Sequence, residues 1–269
     1  MKTNNVFELK KLKIVTIEKN DEFKENLPYL KAIDEVYNNT DYKIIKSIIA
    51  SDLTYGYYIC VVIKNLTIDL IEDFIEFDKY CRKIQKLYLN LRNYSYNPQS
   101  ITCIINAIYN IKNNIAWSDF VGNISEYIVL CRLKFDAFKY YNEPKIYYKK
   151  NLLFKNKSYK NKKFDILSRN KSNHFVLGEV KHKISSYLRF KDNKYILNNK
   201  ILGQVQKINA LQKHLNKSVD DNNKNPKAKK YIFTLHVIPE KSITNLSSDF
   251  EVLDIEDIFT SDFFKLEFQ

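Results

Sequence analysis

Glycine is nearly missing from this chain. Only four occur among 269 residues, and they are not clustered, so no glycine-rich loop is present to cradle the phosphates of a nucleotide. Cysteine is as sparse. Cys60, Cys81, Cys103 and Cys131 lack the paired spacing of a zinc site or a disulfide framework, and they read as reduced core residues of a cytoplasmic protein. His174, His182, His214 and His236 are too dispersed to form a motif. No apolar run approaches the length that spans a bilayer, Met1-Lys2-Thr3-Asn4-Asn5 lacks the apolar core of a secretion signal, and no internal repeat is found. These absences argue against a nucleotide-driven motor, a zinc module and a membrane-spanning protein.

Apolar bulk and lysine are what the chain has in quantity. A hydrophobic content of 45% fits a globular protein, and 269 residues suffice for one large domain or two small ones. Few glycines alongside many Lys, Asn and Ile residues point to an AT-rich genome, which inflates the lysine count. The charge is nonetheless uneven. Residues 141–240 hold 23 Lys and Arg against 7 Asp and Glu, a net of +16, whereas residues 1–140 net +2 and residues 241–269 net −5. Such a concentration favours a polyanionic partner through phosphate neutralisation and counterion release. Lys155-Asn156-Lys157, Lys160 to Lys163 and Lys227 to Lys230 read as loop lysines that contact a nucleic-acid backbone. Each taken singly is an ordinary solvated lysine.

Inside this basic stretch, Phe175-Val176-Leu177 runs into Gly178-Glu179-Val180-Lys181, with Phe164-Asp165-Ile166-Leu167 upstream. Glu179 and Lys181 are two apart, so both side chains leave the same face of a strand. Pairing the two segments as a hairpin brings Asp165 to that face. Glu-x-Lys is common on exposed strands, where opposite charges simply solvate the surface. Here both acids interrupt apolar strands in which unpaired charge is costly, and a functional site is one reason to keep charge there. Hard carboxylate oxygens suit Mg²⁺, which takes one or two carboxylates and fills its other positions with water and substrate phosphate.

Asp165, Glu179 and Lys181 resemble the signature of the PD-(D/E)xK nuclease superfamily, which includes many restriction endonucleases. The proline of that name is absent, since Lys163-Phe164 precedes the aspartate. The resemblance implies a helix before the hairpin carrying a further acid, and another helix after it. Phe120, Ile124, Ile128, Cys131 and Phe135 stand at helical spacing behind Ser118 or Asp119 as a cap. Glu126 lies just off that stripe, with Gly122 one turn earlier leaving room for close approach. It is the candidate for an additional metal or water ligand, against its reading as an exposed glutamate of an amphipathic helix. Downstream, Ile201, Val205, Ile208 and Leu211, continuing to Leu215, form a stripe that should pack on the sheet. Gln204 falls on the stripe and Gln206 points away. Gln204 either supports the site, as a glutamine does in several branches of the superfamily, or is a satisfied helix-boundary amide.

The fold expected is α/β with a restriction-endonuclease-like core, αβββαβ, a mixed central sheet flanked by helices, behind a mostly helical N-terminal region. The core reads as a helix from Ser118 to Tyr140, a first strand Lys145-Ile146-Tyr147-Tyr148, the Asp165 strand, the Phe175–Lys181 strand, the helix holding Gln204, and a strand Tyr231 to Val237. Asn222 to Pro226 is a polar breaker. A boundary at 114/115 separates a nuclease domain, 115–269, from an N-terminal region, 1–114, for recognition, dimerisation or partner binding. In that region Leu12–Ile17 and Tyr55–Ile63 read as strands, Ile68–Leu91 as a helix, Asn93–Pro98 as a break and Ile101–Ile111 as a further helix.

The resemblance implies a Mg²⁺-dependent endonuclease, Mn²⁺ substituting, that leaves 5′-phosphate and 3′-hydroxyl ends. Asp165, Glu179 and the Val180 carbonyl would hold the metal, with Glu126 completing its shell. Lys181 would orient the attacking water or offset developing charge. The expected substrate is double-stranded DNA and the setting is restriction or anti-phage defence, as a homodimer or with a helicase, ATPase or methyltransferase encoded nearby, and without a membrane. Two other readings stand beside it: a nuclease subunit of a helicase- or ATPase-containing complex, and a decayed nuclease that only binds DNA.

Overall fold

The computed structural model describes residues 7–15, 36, 38–66, 71–90, 94–114, 117–141, 145–154, 164–182, 188–191, 194–197, 202–219, 227–235 and 250–259. The chain forms two compact units: Asp21–Cys131, and Met1–Asn20 together with Arg132–Gln269. This division differs from the expected boundary at 114/115. It falls inside a helix, and the N-terminal strands group with the C-terminal half because they pair with strands there.

The first unit is helical throughout its described residues. Asn39 caps α1 (Thr40–Ser51), its side chain accepting from the Tyr42 N–H at 2.9 Å. Tyr42, Ile45 and Ile49 bury one face at helical spacing. Every residue of α2 (Thr54–Asn65) from Tyr55 to Ile63 is buried. The strand expected over Tyr55–Ile63 is therefore a helix. Its Tyr, Ile and Val content favours a strand locally, but a continuous apolar run is equally suited to a helix enclosed on all sides. The enclosure comes from α1 and from α3 (Phe74–Gln85), which both pack on it. Tyr58 donates to the Cys81 carbonyl and Tyr80 to the Val62 carbonyl, each at 3.1 Å. Asp73 caps α3, which buries Phe77, Cys81 and Ile84 and continues as a π-helical turn over Lys86–Asn90.

α4 (Pro98–Asn114) opens on a proline, whose missing N–H is harmless at the first helical position. It buries Ile101, Ile104, Ile108 and Ile111 and packs on α1. α5 (Trp117–Phe135) buries Phe120, Ile124 and Ile128 as expected, but Phe135 is 68% exposed. The helix has ended there. Ala137 takes φ 64°, its N–H donates to the Lys134 carbonyl, and the Phe138 N–H donates to the Leu133 carbonyl at 2.9 Å. That pair of bonds is the Schellman stop, with alanine where glycine is usual. All four cysteines are reduced. The core reading holds for Cys60 and Cys81, whereas Cys131 is half-buried and Cys103 exposed.

The second unit is α/β. A mixed five-stranded sheet is built from β3 (Lys139–Tyr140), β6 (Ile166–Arg169), β7 (Phe175–Lys181), β11 (Ala228–Thr234) and β12 (Glu251–Leu253). Across the sheet their order is β12, β11, β7, β6, β3. β6 is antiparallel to β3 and β7, while β7, β11 and β12 are mutually parallel. A parallel pair needs a crossover, and α6 (Leu202–Asn216) lies in the connection between β7 and β11. β7 is buried from Phe175 to Val180, as a central strand covered on both faces should be. Phe175 and Leu177 share a core cluster with Val205, Ile208, Leu211 and Leu215 of α6. A buried side chain of this size contributes roughly 1.5–3 kcal/mol, so this row fixes the face of β7 that α6 covers.

The strand next to β6 is not the expected Lys145–Tyr148. That segment, β4, pairs instead with β2 (Leu12–Val15) and β5 (Asn151–Leu152) in a separate antiparallel sheet. The central sheet takes the two-residue β3, directly after α5. Lys145–Tyr148 has the composition of a strand but carries no signal for which sheet it joins. Two small pairs complete the unit: β1 (Phe7–Glu8) with β10 (Ser218–Val219), and β8 (Leu188–Lys191) with β9 (Lys194–Leu197). A short helix, α7 (Ile255–Phe259), closes the described chain. No described helix is long and apolar enough to cross a membrane.

Candidate active site

β7 carries the acid and the lysine because its alternation puts Phe175, Leu177, Glu179 and Lys181 on one face. The first two side chains of that row bury apolar surface against α6, and the last two continue it to the strand end. The register Ile166↔Gly178 sets Asp165, immediately before β6, opposite Glu179. Its Oδ2 accepts the Val180 N–H at 3.0 Å and the Lys181 ammonium at 3.3 Å. The same ammonium stands 3.7 Å from Glu179 Oε2. One cation thus bridges two carboxylates on adjacent strands. The Glu179 side chain is wholly buried, Asp165 is 11% exposed and Lys181 30%, so the site opens to solvent on the lysine side.

Gly178 makes this geometry possible. A Cβ there would lie 2.6 Å from the Tyr231 carbonyl oxygen and 2.8 Å from the Phe233 ring. Only glycine lets β7 approach β11 so closely, one residue before Glu179. Gly122 is different: it is exposed, and a Cβ there would meet nothing within 4 Å. The close approach expected at Gly122 is found at Gly178.

A second lysine joins the site from the helix. Lys207 holds its ammonium 4.5 Å from the Phe164 ring centroid and 5.9 Å from that of Phe154. Burial pulls its pKa down to about 8, while the charge of Glu179 pulls the other way. Sequence reading missed it. The available signal was its spacing: Lys207 follows Gln204 by three residues and so shares its side of α6.

The structure therefore brings together Asp165, Glu179 and Lys181, with Val180 contributing its amide. Gln204 is half-buried in the first turn of α6 and Gln206 is exposed. Glu126 is half-buried on the part of α5 that belongs to the helical unit. Among the described residues, no three His, Cys, Asp or Glu side chains form a group that could hold a metal ion. Two carboxylates on facing strands do fit the requirement of Mg²⁺, which completes its shell with water and phosphate. They do not fit a tetrahedral structural zinc cage, which needs four protein ligands.

Two lysine clusters expected to contact nucleic acid, Lys155 to Lys157 and Lys160 to Lys163, lie outside the described residues, as does Asn222 to Pro226. The third cluster departs from expectation. Lys229 and Lys230 belong to β11, and Lys230 is buried, donating to Asn209 Oδ1 at 2.7 Å and lying 4.7 Å from the Phe250 ring centroid. Strand alternation turned it inward, where the Asn209 side-chain oxygen accepts from it and the Phe250 ring faces it.

No protein-family model matches the chain, and no curated protein matches it.

Proposed function

We propose that the chain is a Mg²⁺-dependent nuclease that hydrolyses phosphodiester bonds in DNA, built on a restriction-endonuclease-like core. The observation that carries this reading is the convergence of Asp165 and Glu179 on Lys181 at the open end of a buried strand. The order of elements in the central sheet supports it: with the strands of the smaller sheets set aside and β3 taken as the first strand, α5, β3, β6, β7, α6 and β11 follow αβββαβ. A buried acid without a task would be costly there, and an apolar residue would serve the packing of β7 better.

Asp165 and Glu179, with the Val180 carbonyl, would hold the ion. The ion, when bound, polarises the scissile phosphate and lowers the pKa of water. Lys181 orients the attacking water or offsets charge developing on the phosphate. Lys207 adds a second positive charge from the α6 side, only partly compensated by Glu179, and Gln204 supports the same edge. The biological reading is a cytoplasmic restriction or anti-phage defence nuclease. It acts as a homodimer or as the nuclease subunit of an assembly with a helicase, an ATPase or a methyltransferase.

The test is cleavage of unmethylated plasmid with Mg²⁺ or Mn²⁺, followed by mapping of the ends. Glu179→Ala and Lys181→Ala should each abolish metal-dependent cleavage while DNA affinity stays close to that of the unaltered chain. Full activity in both would refute the site. Salt-dependent DNA binding by the unaltered chain, with no cleavage under any metal, would favour the decayed DNA-binding protein.

A further inference from the structure

The small sheet formed by β2, β4 and β5 presents a feature that the carboxylate site does not use. Leu12 and Ile146 enter the core cluster, and Ile14 packs against it. Alternation therefore sends Lys13 and Tyr147 to the opposite face, where Lys11, the last residue of the 3₁₀ turn before β2, joins them. Lys13 pairs with Tyr147 in register. The β4–β5 turn adds Lys149 and Lys150. Together these five residues line a groove of about 710 Å³, whose four lysines are all exposed and whose tyrosine is half-buried. Glu8 is the acid beside it, paired with Lys10 and Lys11.

The turn itself is informative. Tyr148 pairs with Asn151, leaving Lys149 and Lys150 as a two-residue hairpin loop with φ 47° and 65°. Both central residues are left-handed, the type I′ pattern for which Asn-Gly is the favoured pair. Lysine is disfavoured there. Strained backbone that persists in a fold is a reason to look for a role, and here the strain sets two ammonium groups at the mouth of a basic groove.

We infer that this groove docks the phosphate backbone of nucleic acid, the four lysines contacting phosphates around Tyr147 as an apolar floor. The inference rests on the nuclease reading for what the docking serves, and on charge complementarity for its occupant. An alternating row of phosphates suits a lysine array better than a single small anion does, because the ammonium groups are spread along two strands and a turn.

The experiment measures binding of a fluorescently labelled 20-base-pair duplex over a salt series in EDTA, where cleavage cannot intervene. Lys149→Asn combined with Lys150→Gly installs the favoured turn pair, so it removes two charges while helping the hairpin to fold. Each phosphate that no longer meets a lysine should lower the salt slope by about 0.9. The paired substitution should therefore reduce it by up to about 2 and weaken binding at least tenfold at low salt. Adding Lys13→Glu should weaken it further, with the melting temperature recorded as a check on folding.

Unchanged affinity and slope in the turn variant would overturn the groove, even if the unaltered chain cleaves DNA. Absence of binding by the unaltered chain at low salt would overturn it as well. So would lysine-dependent binding to anionic lipid vesicles with no binding to nucleic acid. Salt-dependent binding that the lysine substitutions weaken, without cleavage under any metal, would sustain the groove and refute the nuclease reading.

Discussion

Gly178→Ala should damage this protein, whereas the same change at Gly122 should not. The added Cβ would meet the Tyr231 carbonyl oxygen at 2.6 Å and a Phe233 ring carbon at 2.8 Å. Ordinary carbon–oxygen contact lies near 3.3–3.6 Å, so the two strands must separate by somewhat under about 1 Å at that rung. The obstacle is backbone. Tyr231 is the registered partner of Gly178, held within the parallel β7–β11 ladder, and cannot swing aside like a side chain. Overpacking of a well-filled core costs about 1–3 kcal/mol, and a backbone neighbour places this substitution at the upper end, near 3 kcal/mol.

Urea unfolding measures that cost, and Gly122→Ala supplies a control of opposite sign. Gly122 lies in the exposed interior of α5, where an added methyl meets nothing within 4 Å. Alanine there should stabilise by about 0.5–1 kcal/mol through helix propensity. The two changes are chemically identical and should move the urea midpoint in opposite directions. Gly178→Ala should also suppress metal-dependent cleavage out of proportion to its folded fraction, because it shifts the strand adjoining Glu179. A displacement of about 1 Å in a reacting group can cost ~100-fold in rate. Stability of Gly178→Ala equal to that of the unaltered chain would refute the close approach of β7 and β11.

Three other expectations are open to measurement. Ala137→Gly should raise stability by about 0.5–1 kcal/mol in urea unfolding, because glycine removes the Cβ penalty at φ 64° in the stop of α5; a lower midpoint would contradict the Schellman geometry. Lys207→Met should raise stability at pH 7 by about 1–2 kcal/mol, a figure reduced for the partial solvent screening of the ammonium. The sign follows from its pKa of about 8 in the fold against an ordinary 10.5: between those values the unfolded chain binds more protons, so stability of the unaltered protein rises with pH through that window, and the methionine variant should lose this rise. Asp136→Ala should cost about 3–5 kcal/mol by leaving the buried Arg132 guanidinium without the carboxylate now 3.0 Å away; calorimetry showing under 1 kcal/mol would exclude that pair as a structural contact.

The elements most readable from sequence are those in which local pattern and tertiary setting agree. α4 and α6 carry apolar residues at helical spacing and β7 is an apolar run of strand length, so each forms where its pattern places it, whereas β11 starts at Ala228, ahead of the expected Tyr231, and takes in two lysines. α2 shows the opposite case. Tyr55 to Ile63 has strand-forming composition, and only the surrounding helices decide that it coils, which a single sequence does not encode locally. β4 and β3 show a third. Which short strand joins a sheet depends on chain closure over more than a hundred residues, since β4 pairs with β2 from the far end of the sequence. Composition is silent about such a partner.

The site divides along the same line. Glu179 and Lys181 were legible because two-residue spacing needs only the local period of a strand, and Asp165 because it sits across one hairpin. Lys207 was not, because its relation to Glu179 passes through the packing of α6 on the sheet rather than through neighbouring sequence. Yet Lys207 alters how the site should be understood. Two carboxylates, Asp165 and Glu179, and two lysines, Lys181 and Lys207, thus share this end of the sheet. On the nuclease reading, Asp165 and Glu179 would hold a divalent cation whose charge adds to that of the two lysines, and the phosphodiester anion of the substrate would offset it. A chain with Lys207→Met should accordingly bind Mn²⁺ more tightly and nucleic acid in EDTA almost unchanged. Equal Mn²⁺ affinity in the two proteins, measured by paramagnetic resonance, would remove Lys207 from the electrostatics of the site and return it to the ranks of lysines that merely cover an apolar core.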